Sequence, residues 1–142
     1  MSETLRLLVT GSRDWPNEQA VRDALRGASS GYASQDVAVV HGHCPTGADA
    51  HADRAARIFG MTVERHPADW SLGYSAGPKR NAEMVNLGAD LCLAFIGDCT
   101  SPRCNRPERH DSHGATGCAD LAERAGIPTR RIRPADTTEA GR

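Results

Sequence analysis

Short apolar runs alternate along this chain with stretches whose apolar positions recur at helical spacing. Leu5-Arg6-Leu7-Leu8-Val9, Asp36 to Val40, Met61 to Arg65, Asp90 to Ile96 and Thr129 to Ile132 read as strands. Val21, Ala24, Leu25 and Ala28 give a first helix its apolar face, opening at Pro16, whose missing N–H is harmless at a first helical position. Further helices are predicted from Ala48 to Phe59, from Lys79 to Leu87 and from Gly114 to Ala125, followed by Gly60, Gly88 and Gly126. Asp90 to Ile96 is the most hydrophobic strand and is expected at the centre of the sheet, with Thr129 to Ile132 at an edge.

Strand–helix alternation of this kind builds a parallel sheet with right-handed crossovers, covered by helices on both faces. Ligands of such sheets bind beyond the carboxyl ends of the strands. The loops at those ends carry Gly11, Gly42, Gly73 and Gly114, whereas the loops at the opposite end are short and plain. That asymmetry places a candidate site on one edge. The organisation expected is a single domain over residues 1–134, with a Cys/His-containing insertion at 97–113 and a polar tail at 135–142.

With 142 residues the chain suits one core, and a net charge of −1 offers no bulk attraction to nucleic acid or to a membrane. No apolar run approaches membrane-spanning length and no signal-peptide pattern opens the sequence, so a cytoplasmic location is expected. Five cysteines, unevenly spread, argue against a disulfide scaffold and for reduced thiols or a metal.

Four turns carry the candidate chemistry. Gly11-Ser12-Arg13 offers backbone N–H groups, a hydroxyl and a guanidinium suited to a phosphate, or else an ordinary turn with Arg13 paired to Asp14. In His41-Gly42-His43-Cys44-Pro45-Thr46-Gly47-Ala48-Asp49, Gly42 and Gly47 bracket a loop ending at a helix start. Thr46 is placed to cap that helix, and Asp49 either complements its dipole or accepts from a ribose; His41 and His43 fit structural roles better than catalytic ones. Gly77-Pro78-Lys79-Arg80-Asn81 puts two cations and an amide in a first helical turn, where cations oppose the dipole unless an anion or solvent compensates. Ser112-His113-Gly114-Ala115-Thr116-Gly117 again fits a phosphate at a helix N-terminus. Trp15, Trp70 and Tyr74 sit in loops at the same end, available for stacking on a base or for packing over backbone. Cys99, Cys104 and His110 in the insertion suggest a structural zinc, with Cys118 or His113 as fourth ligand, against free thiols as the alternative.

With these residues in view, the chain resembles the SLOG superfamily, specifically its YspA-like, YpsA-related branch, over roughly Leu5 to Ile132. The resemblance rests on Val9-Thr10-Gly11-Ser12-Arg13, His41-Gly42 with Thr46-Gly47-Ala48-Asp49, Lys79-Arg80-Asn81, and the last Gly-rich helix start. It implies an α/β, Rossmann-like three-layer sandwich with a mostly parallel sheet of about five strands, and binding of a nucleotide or nucleotide-derived ligand. LOG-type phosphoribohydrolases of the superfamily carry a Pro-Gly-Gly-x-Gly-Thr-x-x-Glu motif and an upstream catalytic arginine. Set against it, His113-Gly114-Ala115-Thr116-Gly117-Cys118-Ala119-Asp120 keeps one glycine of the pair, exchanges the Gly-Thr order and has Asp120 in the Glu position, while Arg80 stands where the family arginine acts.

The expectation is a binder of a nucleotide or an ADP-ribose-like metabolite. Gly11, Ser12, Arg13, Gly42, Thr46, Gly47, Asp49, Lys79, Asn81, Gly114, Thr116 and Gly117 would hold the ligand. Cys99, Cys104, His110 and Cys118 are the metal candidates. The alternative is N-glycosidic hydrolysis of a nucleoside monophosphate with Arg80 and Asp120 as catalytic residues. A DNA-associated module is a third reading, disfavoured by the lack of a basic stripe. A homodimer is expected only by analogy with relatives.

Overall fold

The computed structural model describes residues 4–99, 104 and 112–134. Its elements follow the alternation in the sequence: β1 (Leu5–Gly11), α1 (Glu18–Ala28), β2 (Val37–His41), α2 (Gly47–Phe59), β3 (Thr62–Arg65), α3 (Ala76–Leu87), β4 (Leu91–Phe95), α4 (His113–Arg124) and β5 (Thr129–Ile132), with 3-10 turns at Ser34–Asp36 and Trp70–Ser75. The five strands pair in the order β3-β2-β1-β4-β5, and every pairing is parallel. β1 is therefore the middle strand. The more hydrophobic β4 is interior but one place off centre, and β5 is an edge.

Alternation along β1 divides the core in two. Leu5, Leu7 and Val9 face a layer of α1 and α2, where Val21, Leu25, Ala48, Ala52 and Ala56 close the packing. Leu8 faces the other layer, with Val40, Cys92, Met84 and Val85 of α3, and Cys118 and Ala122 of α4. Alanines on α2 and α4 let the helices approach the sheet closely. The approach is tightest at Gly11, where a Cβ would run into the Ala48 methyl group and lie 2.9 Å from the Phe95 carbonyl oxygen.

Local details depart from the pattern in four places. α1 begins at Glu18 rather than Pro16, because the Asn17 side chain accepts from Ala20 N at 3.0 Å and caps it. Trp15 is buried against Phe95, ring centroids 5.6 Å apart, so it is a core residue and not a stacking platform. α3 starts at Ala76, continuing directly from the 3-10 turn that bends at Gly73 (φ 84°). Pro78 sits inside its first turn, where a missing N–H does no harm, and Arg80 and Asn81 fall beyond that turn. Thr46 precedes α2 but makes no side-chain cap; its hydroxyl donates instead to the Arg13 carbonyl at 2.7 Å.

Candidate functional site

Strand order reverses direction at β1, whose neighbours β2 and β4 lead to opposite faces. The loops after β1, β2 and β4 surround a cavity of about 970 Å³ at the carboxyl edge, closed on its far side by the starts of α3 and α4. That volume lies in the range of small-molecule and cofactor sites.

The first wall is the loop after β1. Ser12 is buried and structural: its N–H donates to Phe95 O, its hydroxyl accepts from Gly97 N at 2.8 Å, and its carbonyl accepts from Ala48 N. It ties the β1 loop to the β4 loop and to the start of α2. Arg13 lines the cavity with its guanidinium 5.0 Å from the Trp70 ring centroid, a cation–π contact in place of an Asp14 pair. Trp70 and Tyr74 are exposed at the mouth.

The second wall is the loop after β2. Gly47 takes φ 71°, and a Cβ there would collide with the Ser12 and Arg13 backbone. Its glycine identity thus serves close packing of two loops. His41 is fully buried: Nδ1 accepts from His43 N at 2.9 Å, so Nε2 carries the proton donated to Asp53 Oδ2 at 2.8 Å. Asp53 also accepts from Arg65 and Arg57, and with Arg65 as the main cause its carboxyl is held well below the usual range. This network braces the end of β2 from behind the cavity. His43 holds a left-handed backbone (φ 59°) and faces the cavity.

Asp49 is the buried carboxyl of the site. It is 7% exposed, lines the cavity, and accepts from Cys44 N at 3.2 Å. Burial pushes its pKa upward, opposed by His41, Cys44 N–H and Arg80. Arg80 approaches from α3 and donates from Nη1 to the carbonyls of Gly42 and His66, and from Nε to Asn81 Oδ1 at 2.8 Å. The guanidinium lies so close to Gly42 that a Cβ at that position would overlap it. All three acceptors are neutral, so among the described residues no carboxylate accepts directly from Arg80; the buried Asp49 acts on it only through space.

The third wall is the start of α4. Gly114, Ala115, Gly117 and Leu121 face the cavity, and Ser112 gives the helix no side-chain cap. Added Cβ atoms at Gly114 and Gly117 would meet nothing within 4 Å, so backbone is open to the cavity there. The Thr116 hydroxyl donates back to its own helix, to Ser112 O and His113 O at 2.9 and 3.2 Å.

Several residues singled out in the sequence lie elsewhere. Asp120 is off the Gly114–Gly117–Leu121 stripe and pairs with Arg131 at 2.7 Å, outside the cavity. Lys79 is exposed and, like Thr46, Gly47 and Thr116, does not line it. Cys118 is buried in the core beside Cys92, its thiol pushed up to about 11 by that burial, because α4 turns it toward the sheet. It does not join Cys99 and Cys104; His113 does, the ligand atoms of the three lying within 4.8 Å of one another. His110 lies outside the described residues. The through-space proximity of Arg80 to Asp49 was invisible in the sequence, since only the tertiary approach of α3 to the β2 loop creates it.

The model of the YspA, cpYpsA-related SLOG family matches residues 5–73, which hold the β1 and β2 loops. The Gene 61 protein of Mycobacterium phage D29 is 42% identical over 131 residues, covering 87% of this chain and 92% of the phage protein. The chain belongs to the YspA, cpYpsA-related SLOG family. Within this SLOG protein the family match ends before α3 and α4, so Arg80 and the third wall rest on the geometry alone. A crystal structure of a candidate UDP-N-acetylglucosamine 2-epimerase from Listeria monocytogenes is similar at a TM-score of 0.43 and 13% identity, over 93% of this chain and 31% of the other.

Proposed function

We propose that this SLOG protein binds a nucleotide or nucleotide-derived ligand, such as an ADP-ribose-like metabolite, in the cavity at the carboxyl edge of its sheet. The observation that carries the reading is Arg80, a cation at the cavity whose hydrogen bonds among the described residues all go to neutral acceptors. An anionic oxygen would give it a directly bonded counter-charge, which Asp49 does not provide, and a guanidinium matches a phosphate well. Around it stand an acceptor suited to ribose hydroxyls (Asp49), open backbone at Gly114 and Gly117, and exposed rings at Trp70 and Tyr74 for a base.

Thermal denaturation against a panel of nucleoside mono- and diphosphates and ADP-ribose tests this. A ligand present at one hundred times its Kd raises stability by about 2.7 kcal/mol, and the rise is expected to disappear in Arg80→Ala. A panel that leaves the melt unmoved overturns the reading.

Asp49 favours a second reading, N-glycosidic hydrolysis of a nucleoside monophosphate. With Asp120 held by Arg131, Asp49 is the carboxyl near Arg80. A raised pKa suits a general acid that protonates the departing base nitrogen while water adds to the anomeric carbon and the glycosidic bond breaks. Release of free base from AMP, abolished in Asp49→Asn, is the expected result. No release at high protein concentration leaves binding alone. Among the described residues no helix is long and apolar enough to cross a membrane.

A further inference from the structure

The connection from β4 to α4 brings three metal-binding side chains together beside the cavity. Cys99 follows β4, His113 is the first residue of α4, and Cys104 comes from between them. Their ligand atoms all lie within 4.8 Å of one another, and all three residues line the cavity. Cys104 Sγ is 3.6 Å from His113 Nε2. In a tetrahedral zinc site, with Zn–S of about 2.3 Å and Zn–N of about 2.0–2.1 Å, those two ligand atoms stand about 3.6 Å apart. The separation is therefore that of two ligands already in place.

We propose that Cys99, Cys104 and His113 bind a zinc ion through three protein ligands, leaving a fourth position that faces the cavity. The donor set selects the metal class: two thiolates and an imidazole suit zinc and exclude the hard cations that need oxygen ligands. Charge agrees as well. A bare cation at a helix N-terminus opposes the dipole, but two thiolates cancel the zinc charge, so His113 can be a ligand at the start of α4 without that penalty. Among the described residues no fourth ligand joins the cluster, and Cys118 is buried in the core on the sheet side of α4. A site with three protein ligands keeps its fourth position for water or an anionic oxygen, and the three ligands line the same cavity as Arg80 and Asp49. Metal binding itself does not depend on the nucleotide reading.

The test begins with the reduced, full-length protein stripped of metal and titrated with zinc against a chromophoric chelator. About one zinc per chain is expected, with affinity falling tenfold or more in Cys99→Ser, Cys104→Ser and His113→Ala and unchanged in Cys118→Ala. Cobalt then replaces zinc. Intense visible bands with thiolate charge transfer are expected, and azide, added as a probe anion, is expected to shift them by entering the fourth position. No metal uptake by the wild-type protein, or undiminished uptake in Cys104→Ser, overturns the site. Uptake with a cobalt spectrum indifferent to azide overturns the open position. None of these outcomes involves a nucleotide, so failure of the zinc site and failure of nucleotide binding are told apart.

Discussion

The guanidinium of Arg80 lies against the backbone of Gly42 and donates to its carbonyl, so position 42 has no room for a side chain. α3 and the β2 loop meet at this contact, and it aims the cation into the cavity. Gly42→Ala is expected to displace Arg80 and weaken nucleotide binding at least tenfold, about 1.4 kcal/mol. Isothermal titration with the best ligand of the panel measures this, and unchanged affinity would show that Arg80 finds its position without the contact.

Asp49 provides a pH-dependent check. Burial raises its folded pKa above the unfolded value. Its contribution to stability is therefore complete below the unfolded pKa and is lost as pH rises through the folded one. Asp49→Asn removes a buried charge, so the variant is expected to melt higher than wild type at neutral pH, with the gap closing as pH falls toward the usual carboxylate range. Melting curves across that range decide it; a gap that widens in acid contradicts the assignment.

Glu64 behaves in the opposite sense. Arg6 donates to both of its carboxylate oxygens, at 2.9 and 3.2 Å, and with His66 pulls its pKa from 4.5 down to about 2. The stability it contributes is present above the unfolded value and is lost as pH falls toward the folded one. Glu64→Gln should flatten the acid limb of the stability curve, which urea denaturation at a series of acidic pH values would reveal.

Gly47→Ala forces a Cβ into the Ser12–Arg13 backbone at a residue with φ 71°. Strain and overlap together are expected to cost about 2 kcal/mol or more, measured by chemical denaturation. A variant as stable as wild type would mean that the two loops separate easily.

The two tryptophans separate packing from recognition. Trp15→Ala empties a core position and is expected to cost about 3–5 kcal/mol. Trp70 is about half exposed over Arg13. Trp70→Ala should leave the melt nearly unchanged while reducing affinity for ligands that carry a base. Loss of stability in Trp70→Ala without loss of affinity would remove the ring from the site.

The alternation of apolar runs and helical spacing was enough to read the strands, the helices and the edge that carries the cavity, because each is a local pattern of burial. The uses of particular residues were less legible. Gly11 and Gly47 look like phosphate turns in the sequence, yet their missing Cβ atoms make room for Ala48 and for the Ser12–Arg13 backbone, neighbours fixed only by tertiary packing. Thr46 and Asn17 illustrate the same limit for caps, since hydroxyl and amide choose whichever partner the fold brings near. Asp120 and Cys118 lie on the last Gly-rich helix, but one turn of that helix decides whether a side chain meets the cavity, Arg131 or the sheet.

The start of α2 has a consequence for how any ligand must lie. Ala48 N already donates to Ser12 O, and Cys44 N to Asp49, so that helix end is satisfied from within and fronted by a carboxyl. At the start of α4, Ser112 makes no side-chain cap, and among the described residues no comparable carboxyl bond is seen there. The two helix starts are therefore not equivalent for a ligand: the α2 end presents the Asp49 carboxyl, which favours hydroxyl donors over a bare phosphate, whereas the open backbone at Gly114 and Gly117 lies on the α4 side.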